Sequence, residues 1–360
     1  MQIKRSNQDC SINDDWTLKG MKVVYLENAF LSIGILADRG TDIFEFKYKP
    51  LNLDFLLRLD KGIQNPAQVF SQMRDTHNQS EDYYYGGWQE ILPNSPSFNY
   101  RGASLGLHGE VSLIPWKYSI IKDTAEEVAV KFWTRPLRMP LLIEKTLTLQ
   151  KNSSQLIITE TLTNESRTSL DIMWGHHIAF GLPFLKKGAK IETNAKTMEA
   201  HDDIAEPRRF NAGKVYNWPQ AEDPYGKVFD ASVIPNISAP AYRDLAFLTN
   251  FESSNNKAHY TITNPEQKIG FSVSWDASIF KCLWLWEERN ASQDFPWWGN
   301  CYTVALEPWT SKYTNEPEKS IQKGEWLCIK AGEVISTSIA AGAVDTKYIS
   351  VEASILRLKR

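Results

Sequence analysis

The chain is poor in the residues that would build a structural metal site or a disulfide frame. Its 360 residues include four cysteines, Cys10, Cys282, Cys301 and Cys328, none at C-x-x-C spacing, so neither a zinc ribbon nor a redox motif is suggested. No run of about 18 apolar residues occurs, which leaves no sequence for a membrane-spanning helix. The opening MQIKRSNQDCSINDDW has no apolar core of a secretory signal. A soluble, cytoplasmic protein without a membrane partner is expected. An excess of either charge is also missing. Forty Lys and Arg stand against 43 Asp and Glu, net charge is -3, and no long block of like charge occurs. That balance gives no footing for nucleic acid as a partner.

Aromatics are abundant instead, with 13 Trp, 14 Tyr and 16 Phe. They favour strands, and flat apolar rings also stack on sugars. The hydropathy pattern agrees with strands. GTDIFEFKYKP alternates Phe44, Phe46 and Tyr48 against Glu45 and Lys47, a period-2 signal. LIEKTLTLQ and QLIITETLT, joined by KNSS, read as an antiparallel hairpin. KIGFSVSWD, FKCLWLWEE, NCYTVALEPW and EWLCIKAGEVISTSIAAG add further strands. The one good helix candidate is NPAQVFSQMRD, with Asn65 as N-cap and Pro66 in the first turn. Residues 75–106 and 186–245 read as long loops, which in compact proteins tend to be functional. Length alone would allow two domains, but β-sandwiches often exceed two hundred residues as one unit. With no linker, charged hinge or repeat, one mainly β domain over residues 1–360 is expected, with large antiparallel sheets and little helix.

DIMWGHHIAFGLPF places two of the six histidines side by side in a strand-like run. Successive strand side chains point to opposite faces. One face carries Ile172, Trp174, His176, Ile178 and Phe180, bulky enough for a sheet–sheet core. The other carries Met173, Gly175, His177, Ala179 and Gly181. His177 thus stands in space cleared by small neighbours, whereas His176 reads as a core histidine with a local hydrogen bond. In NCYTVALEPW, Glu307 shares a face with Cys301, Thr303, Ala305 and Trp309. In SLGLHGE, His108 shares its side with Ser104 and Gly106. Three ionisable residues on small-residue faces could meet in one cleft.

At these residues the sequence resembles the aldose 1-epimerase (galactose mutarotase-like) superfamily. The resemblance rests on LHGEVSLIPW (His108, Trp116), HIAFGL (His177, Phe180) and ALEPW (Glu307), in that order, and spans about residues 20–345. It implies a β-supersandwich with its site in a cleft on one face. It further implies Glu307 as general base, His177 as general acid and His108 as ligand of a sugar oxygen. The galactose-type arginine motif has no counterpart; YYYGGWQEILPN stands in its place, and the hydroxyl-holding aspartate of galactose-specific members is not identifiable.

Interconverting pyranose anomers requires a base at the O1 hydroxyl and an acid at the ring oxygen. No metal or cofactor is needed. Glu307 should be ionised and His177 partly protonated, each favouring the other, and the two should stand a sugar ring apart around one pocket. Arg39 either holds a substrate oxyanion or pairs with Asp38 or Asp42 in a turn. Trp88 could stack on the sugar, with Gln89 or Asn94 hydrogen-bonding to it; otherwise GGWQEILPNS is a structural turn with one buried Trp. In DFPWWGN, Trp297 is the second aromatic candidate. His201, Asp202 and Asp203 lack metal-ligand spacing and read as a solvated loop. The function so implied is epimerisation of a free or modified monosaccharide. A glycan hydrolase or lyase, and a non-catalytic carbohydrate-binding protein, are the alternatives. Hydrolases generally need two flanking carboxylates, and a pure binder would need no acid/base pair.

Overall fold

The computed structural model of the chain describes residue 6 and residues 8–68 and 79–345. Two large antiparallel sheets dominate, one of thirteen strands and one of nine among the described residues. The two described α-helices, Gln79–Tyr83 and Pro317–Gln322, are short. Mainly β architecture with little helix is therefore what the chain adopts. No described helix is long and apolar enough to cross a membrane.

The larger sheet places six strands side by side at its centre: Asp42–Tyr48, Trp88–Ile91, Gly175–Phe180, Tyr302–Trp309, Cys282–Arg289 and Tyr242–Phe251. The smaller sheet is built around the expected hairpin, Leu141–Gln150 with Gln155–Asn164, in which Leu149 faces Leu156. Val334–Asp345 runs beside that hairpin and Ile269–Asp276 beside Val334–Asp345. One apolar cluster fills the space between the sheets, drawing Ile178, Phe180, Val304 and Leu306 from the larger and Leu147, Ile158, Val273 and Ile339 from the smaller. Alternation along each strand leaves the opposite face of the larger sheet free to carry other residues.

Several sequence expectations change here. The Asp42–Tyr48 strand carries a β-bulge: Ile35 faces Ile43 and Gly34 faces Glu45, so Phe44 is the extra residue. Ile43 and Phe46 consequently enter the inter-sheet core, while Phe44 packs with Tyr85 and Ile63 on the other side. The simple Phe44–Phe46–Tyr48 face is overturned. Within the expected loop 75–106, WQEI is a central strand of the larger sheet. Its alternation was masked because Glu90 points into the core, where Lys145 neutralises it at 3.1 Å. Segment 186–245 holds short strands, such as Ala189–Thr193 and Ala195–Ala200, that extend both sheets. The helix expected from Asn65 begins as a turn at 66–68, and residues 69–75 of it lie outside the described residues.

Candidate functional site

Glu307 and His177 stand on neighbouring strands, Tyr302–Trp309 and Gly175–Phe180, on the face turned away from the core. The small residues expected around them are there: Ala179 sits directly opposite Ala305 in the ladder. His177 Nε2 lies 3.5 Å from Glu307 Oε1. The other carboxylate oxygen, Oε2, accepts from Trp309 Nε1 at 2.9 Å. The His108 ring lies 5.8 Å from that of His177. His108, His177 and Glu307 thus form one group.

Their spacing differs from expectation. Glu307 and His177 touch instead of standing a ring apart, and both are buried, at 2% and 7% exposure. Tyr84 supplies the reason. Its ring packs at 5.1 Å on His177, 6.2 Å on Trp286 and 5.6 Å on Trp297, and fills the space over the strands. Two polar groups confined beneath an aromatic cover do better against each other than unpaired.

The ionisation pattern is also reversed. Burial pushes the Glu307 carboxyl up to about 8, against a lowering by the Trp309 N–H. Burial, aided by His108, pulls His177 down to about 3. Burial likewise takes His108 to about 4. At neutral pH the resting site therefore holds a protonated Glu307 and neutral histidines. Desolvation outweighs the mutual attraction that the sequence suggested.

This arrangement has a measurable consequence. Glu307 binds its proton more tightly folded than unfolded, so its contribution to stability is lost as pH rises from about 4.5 to about 8. His177 acts oppositely, its contribution being lost as pH falls from about 6.5 to about 3. The thermal midpoint of Glu307→Gln minus that of the wild type should grow between pH 5 and 8 and then level off. A difference that is flat with pH would contradict the buried, protonated carboxyl.

His108 does not sit on a strand. The strand Ala103–Leu105 ends before it, and His108 occupies a turn with φ of 61°. Gly109 follows at φ 64°, pressed so close to the Leu92 carbonyl that a Cβ would lie 2.2 Å from its oxygen. The His108 N–H donates to the Ser95 carbonyl at 2.8 Å, and Ser95 Oγ lies 3.2 Å from its Nδ1. Asn94 belongs to this support. It donates to the carbonyls of Pro96 and Gly106 and is fully buried, so its amide N–H anchors the His108 turn; its Oδ1 is buried without a partner, and Asn94 is not among the residues lining the hollow.

Trp88 needs a similar correction. Strand alternation sends it to the core side, where Nε1 donates to His176 Nδ1 at 3.1 Å. It cannot stack on a ligand in the cleft. Trp88→Phe should leave sugar binding unchanged while destabilising the protein by about 1–3 kcal/mol, the usual cost of a buried group left unpaired; chemical denaturation alongside a binding titration checks both halves. His176 itself is buried between the sheets and meets Glu160 at 3.1 Å through Nε2. Its bonds reach across the structure rather than being local. Because Nδ1 accepts from Trp88, the proton sits on Nε2.

Gln89, one residue from Trp88, faces the cleft directly opposite His177 in the ladder. Arg39, buried beside it, lies 3.8 Å from Asp42 and donates to the carbonyls of Gln64 and Tyr83. Its turn-pairing alternative is therefore realised with Asp42, while its side chain still borders the cleft. Arg39, Tyr84, Gln89, His108 and His177 line a narrow, nearly closed hollow of only about 10 Å³, room for about one water in this resting state. Arg39 Nε, Tyr84 Oη and Gln89 Oε1 are buried there without a hydrogen-bond partner. Such atoms are costly unless something polar reaches them. Trp297 stands at the rim, partly exposed, in contact with Tyr84 and Trp286.

Tyr84 and Trp286 border the site without a sequence signal that singles them out, and Asp42, expected only as a turn partner of Arg39, joins them. Alternation in CLWLWEER does put Trp286 beside Ala305. Asp42 sits where a bulge breaks the pattern, and burial raises it to about 7 despite Arg39. Among the described residues, Glu90, Glu160 and His176 lie close enough to hold a metal ion. A cation there would compete with Lys145 Nζ on Glu90, so an internal ion pair accounts for the group. Asp202 and Asp203 are exposed as a solvated loop requires, whereas His201 is buried against Phe247 and Tyr313.

A family model described as a domain of unknown function, DUF4432, matches residues 18–342. No curated protein matches the chain in sequence. Solved structures do resemble it. A Klebsiella pneumoniae protein provisionally designated an aldose 1-epimerase superposes with a TM-score of 0.70 at 14% identity, covering 97% of this chain and 86% of that one. A galactose mutarotase-like protein from Clostridium acetobutylicum gives 0.62 at 16% identity, covering 94% and 100%. One from Lactobacillus casei gives 0.57 at 17% identity, covering 89% and 100%. At such identities the likeness speaks for the fold. The chain belongs to the DUF4432 family and has the galactose mutarotase-like fold.

Proposed function

We propose that the protein is an isomerase of the aldose 1-epimerase kind, interconverting the α and β anomers of a free or modified monosaccharide. The observation that carries this reading is the Glu307–His177 contact at 3.5 Å beside His108, on the cleft face of the larger sheet. Glu307 takes the proton from O1 while His177 protonates the ring oxygen. The C1–O5 bond opens, C1–C2 rotates, and reclosure on the other face returns both protons.

The resting protonation is compatible with that cycle. A protonated carboxyl beside a neutral imidazole holds the same number of protons as a carboxylate beside an imidazolium. One proton moving across the contact converts one state into the other. O1 and O5 are both bonded to C1, so acid and base reach them with hydrogen bonds of ~2.6–3.2 Å once the pair parts by a few ångströms. Tyr84 must yield the same space. His108, neutral at physiological pH, suits the holding of a sugar oxygen better than proton donation. Gln89 Oε1 and Arg39 Nε offer an acceptor and a donor to hydroxyls.

Glycan hydrolysis is less well served. It calls for two carboxylates across the scissile bond, whereas beside Glu307 stand two histidines, and the other buried carboxylate near the hollow, Asp42, is taken up by Arg39 and Gln89. Polarimetry on freshly dissolved single anomers, across neutral and modified aldoses, tests the proposal. At least one sugar should approach equilibrium faster with protein present; a panel that relaxes at the spontaneous rate throughout would retire it.

A further inference from the structure

We propose that Trp309 is the positioning residue of Glu307: its indole, locked between Gly175 and Trp284, ties one carboxylate oxygen and leaves the other for the sugar. The proposal rests on the reading of Glu307 as the base. Trp309 lies two residues beyond Glu307 on the same strand, so both side chains share the cleft face. It is fully buried.

The lock has three parts. Trp284 stacks on Trp309 at 4.2 Å with the rings only 14° apart. Trp284 is itself anchored by its Nε1 donating to the Ser311 carbonyl at 2.9 Å. Opposite Trp309 in the ladder stands Gly175, where a Cβ would lie 2.2 Å from indole Cδ2 and 2.3 Å from Cε3. Glycine is required there because the ring occupies the volume of any side chain. The His108 ring covers a further side at 6.0 Å.

A glutamate carboxylate rotates broadly about its last torsion, so its shape does not select which oxygen faces the substrate. The Trp309 N–H makes that selection by holding Oε2 at 2.9 Å, and Oε1 is left facing His177. The same bond favours the ionised carboxylate and works against burial. The other ionisable groups that face Glu307 are His177, Tyr84, Cys282 and, from the smaller sheet, Tyr260. None of them donates a hydrogen bond to Oε2 among the described contacts.

The test is a direct titration of the Glu307 carboxyl, by ¹³C NMR of labelled glutamate, in wild type, Trp309→Phe and Gly175→Ala. The carboxyl should titrate at higher pH in both variants, the first losing the N–H and the second displacing it. On a sugar the wild type equilibrates, Trp309→Phe should lower kcat roughly ten- to a hundred-fold, the size of one hydrogen bond to a charged group, with KM changing less than about twofold. The acid limb of the pH–rate profile should move up with it. If Trp309→Phe does not fold, the benzothienyl analogue of tryptophan at 309 keeps the ring shape and lacks the N–H. An unchanged titration in a folded variant would overturn the proposal and leave Trp309 as packing. If the titration shifts but the wild type equilibrates no sugar, the positioning role stands and the base assignment falls.

Discussion

Glu307→Gln should abolish most anomer-equilibrating activity, lowering kcat by roughly the ~10²–10⁴-fold that a positioned general base contributes. Glutamine preserves the shape of the side chain and can still accept from Trp309 Nε1 through its amide oxygen. What it cannot do is take a proton from O1. His177→Asn should cost a similar factor by removing the acid. Both losses should fall on kcat rather than KM, because these groups act on protons in the transition state. His108→Ala should instead raise KM along with slowing turnover, since its place in the site is to hold an oxygen. The pH dependence sharpens the expectation. With sugar absent, Glu307 is held near 8 and His177 near 3, so bound substrate must supply the polar contacts that allow the ionised pair. Retention of more than about a tenth of wild-type kcat in Glu307→Gln would remove the carboxylate from the mechanism.

Lys145→Met should destabilise the protein by about 3–5 kcal/mol, the usual cost of stripping one partner from a buried ion pair. Lys145 is 5% exposed and Glu90 is 1% exposed, with Nζ and Oε2 3.1 Å apart. Trp174 Nε1 donates to the other oxygen of Glu90, so the carboxylate is fully committed inside the sandwich. Removing the ammonium leaves that charge unpaired, or forces it to take a proton, beside Glu160 and His176. A second change, Glu90→Gln, should restore much of the loss, because a neutral pair of similar volume avoids the desolvation of both charges. Urea unfolding of the two single variants and the double variant measures this. A loss below about 1 kcal/mol in Lys145→Met would mean that the pair is solvated and that the interior is not as packed as described.

The ease of reading each part from the sequence follows from how regular its environment is. Ile269–Asp276 and Tyr302–Trp309 alternate cleanly, each with one face on a single apolar core, so their faces were legible from period alone. So was the difference between His176 and His177, because a strand between two strands has no freedom of register. Sequence period is uninformative where the interior is polar or the backbone departs from extension. Glu90 hid a central strand, since nothing in WQEI announces a lysine waiting 55 residues later in sequence. The Phe44 bulge shifted one face of its strand by one residue. His108 sits in a left-handed turn fixed by Ser95 and Asn94, which local pattern does not encode. Tyr84 is the largest omission. Its packing over His177 and its contacts with Trp286 and Trp297 join segments some two hundred residues apart, and only the folded chain brings them together.

That closed arrangement defines the most direct measurement. A crystal structure should be determined with the sugar that wild-type protein equilibrates fastest. The ring should lie between Glu307 and His177, with Oε1 within ~2.6–3.2 Å of O1 and Nε2 within the same range of the ring oxygen. The separation of Oε1 and Nε2 should then exceed the present 3.5 Å, and the Tyr84 ring should have left His177. A sugar bound elsewhere, with Glu307 and His177 still in contact and neither atom near O1 or the ring oxygen, would contradict that mechanism.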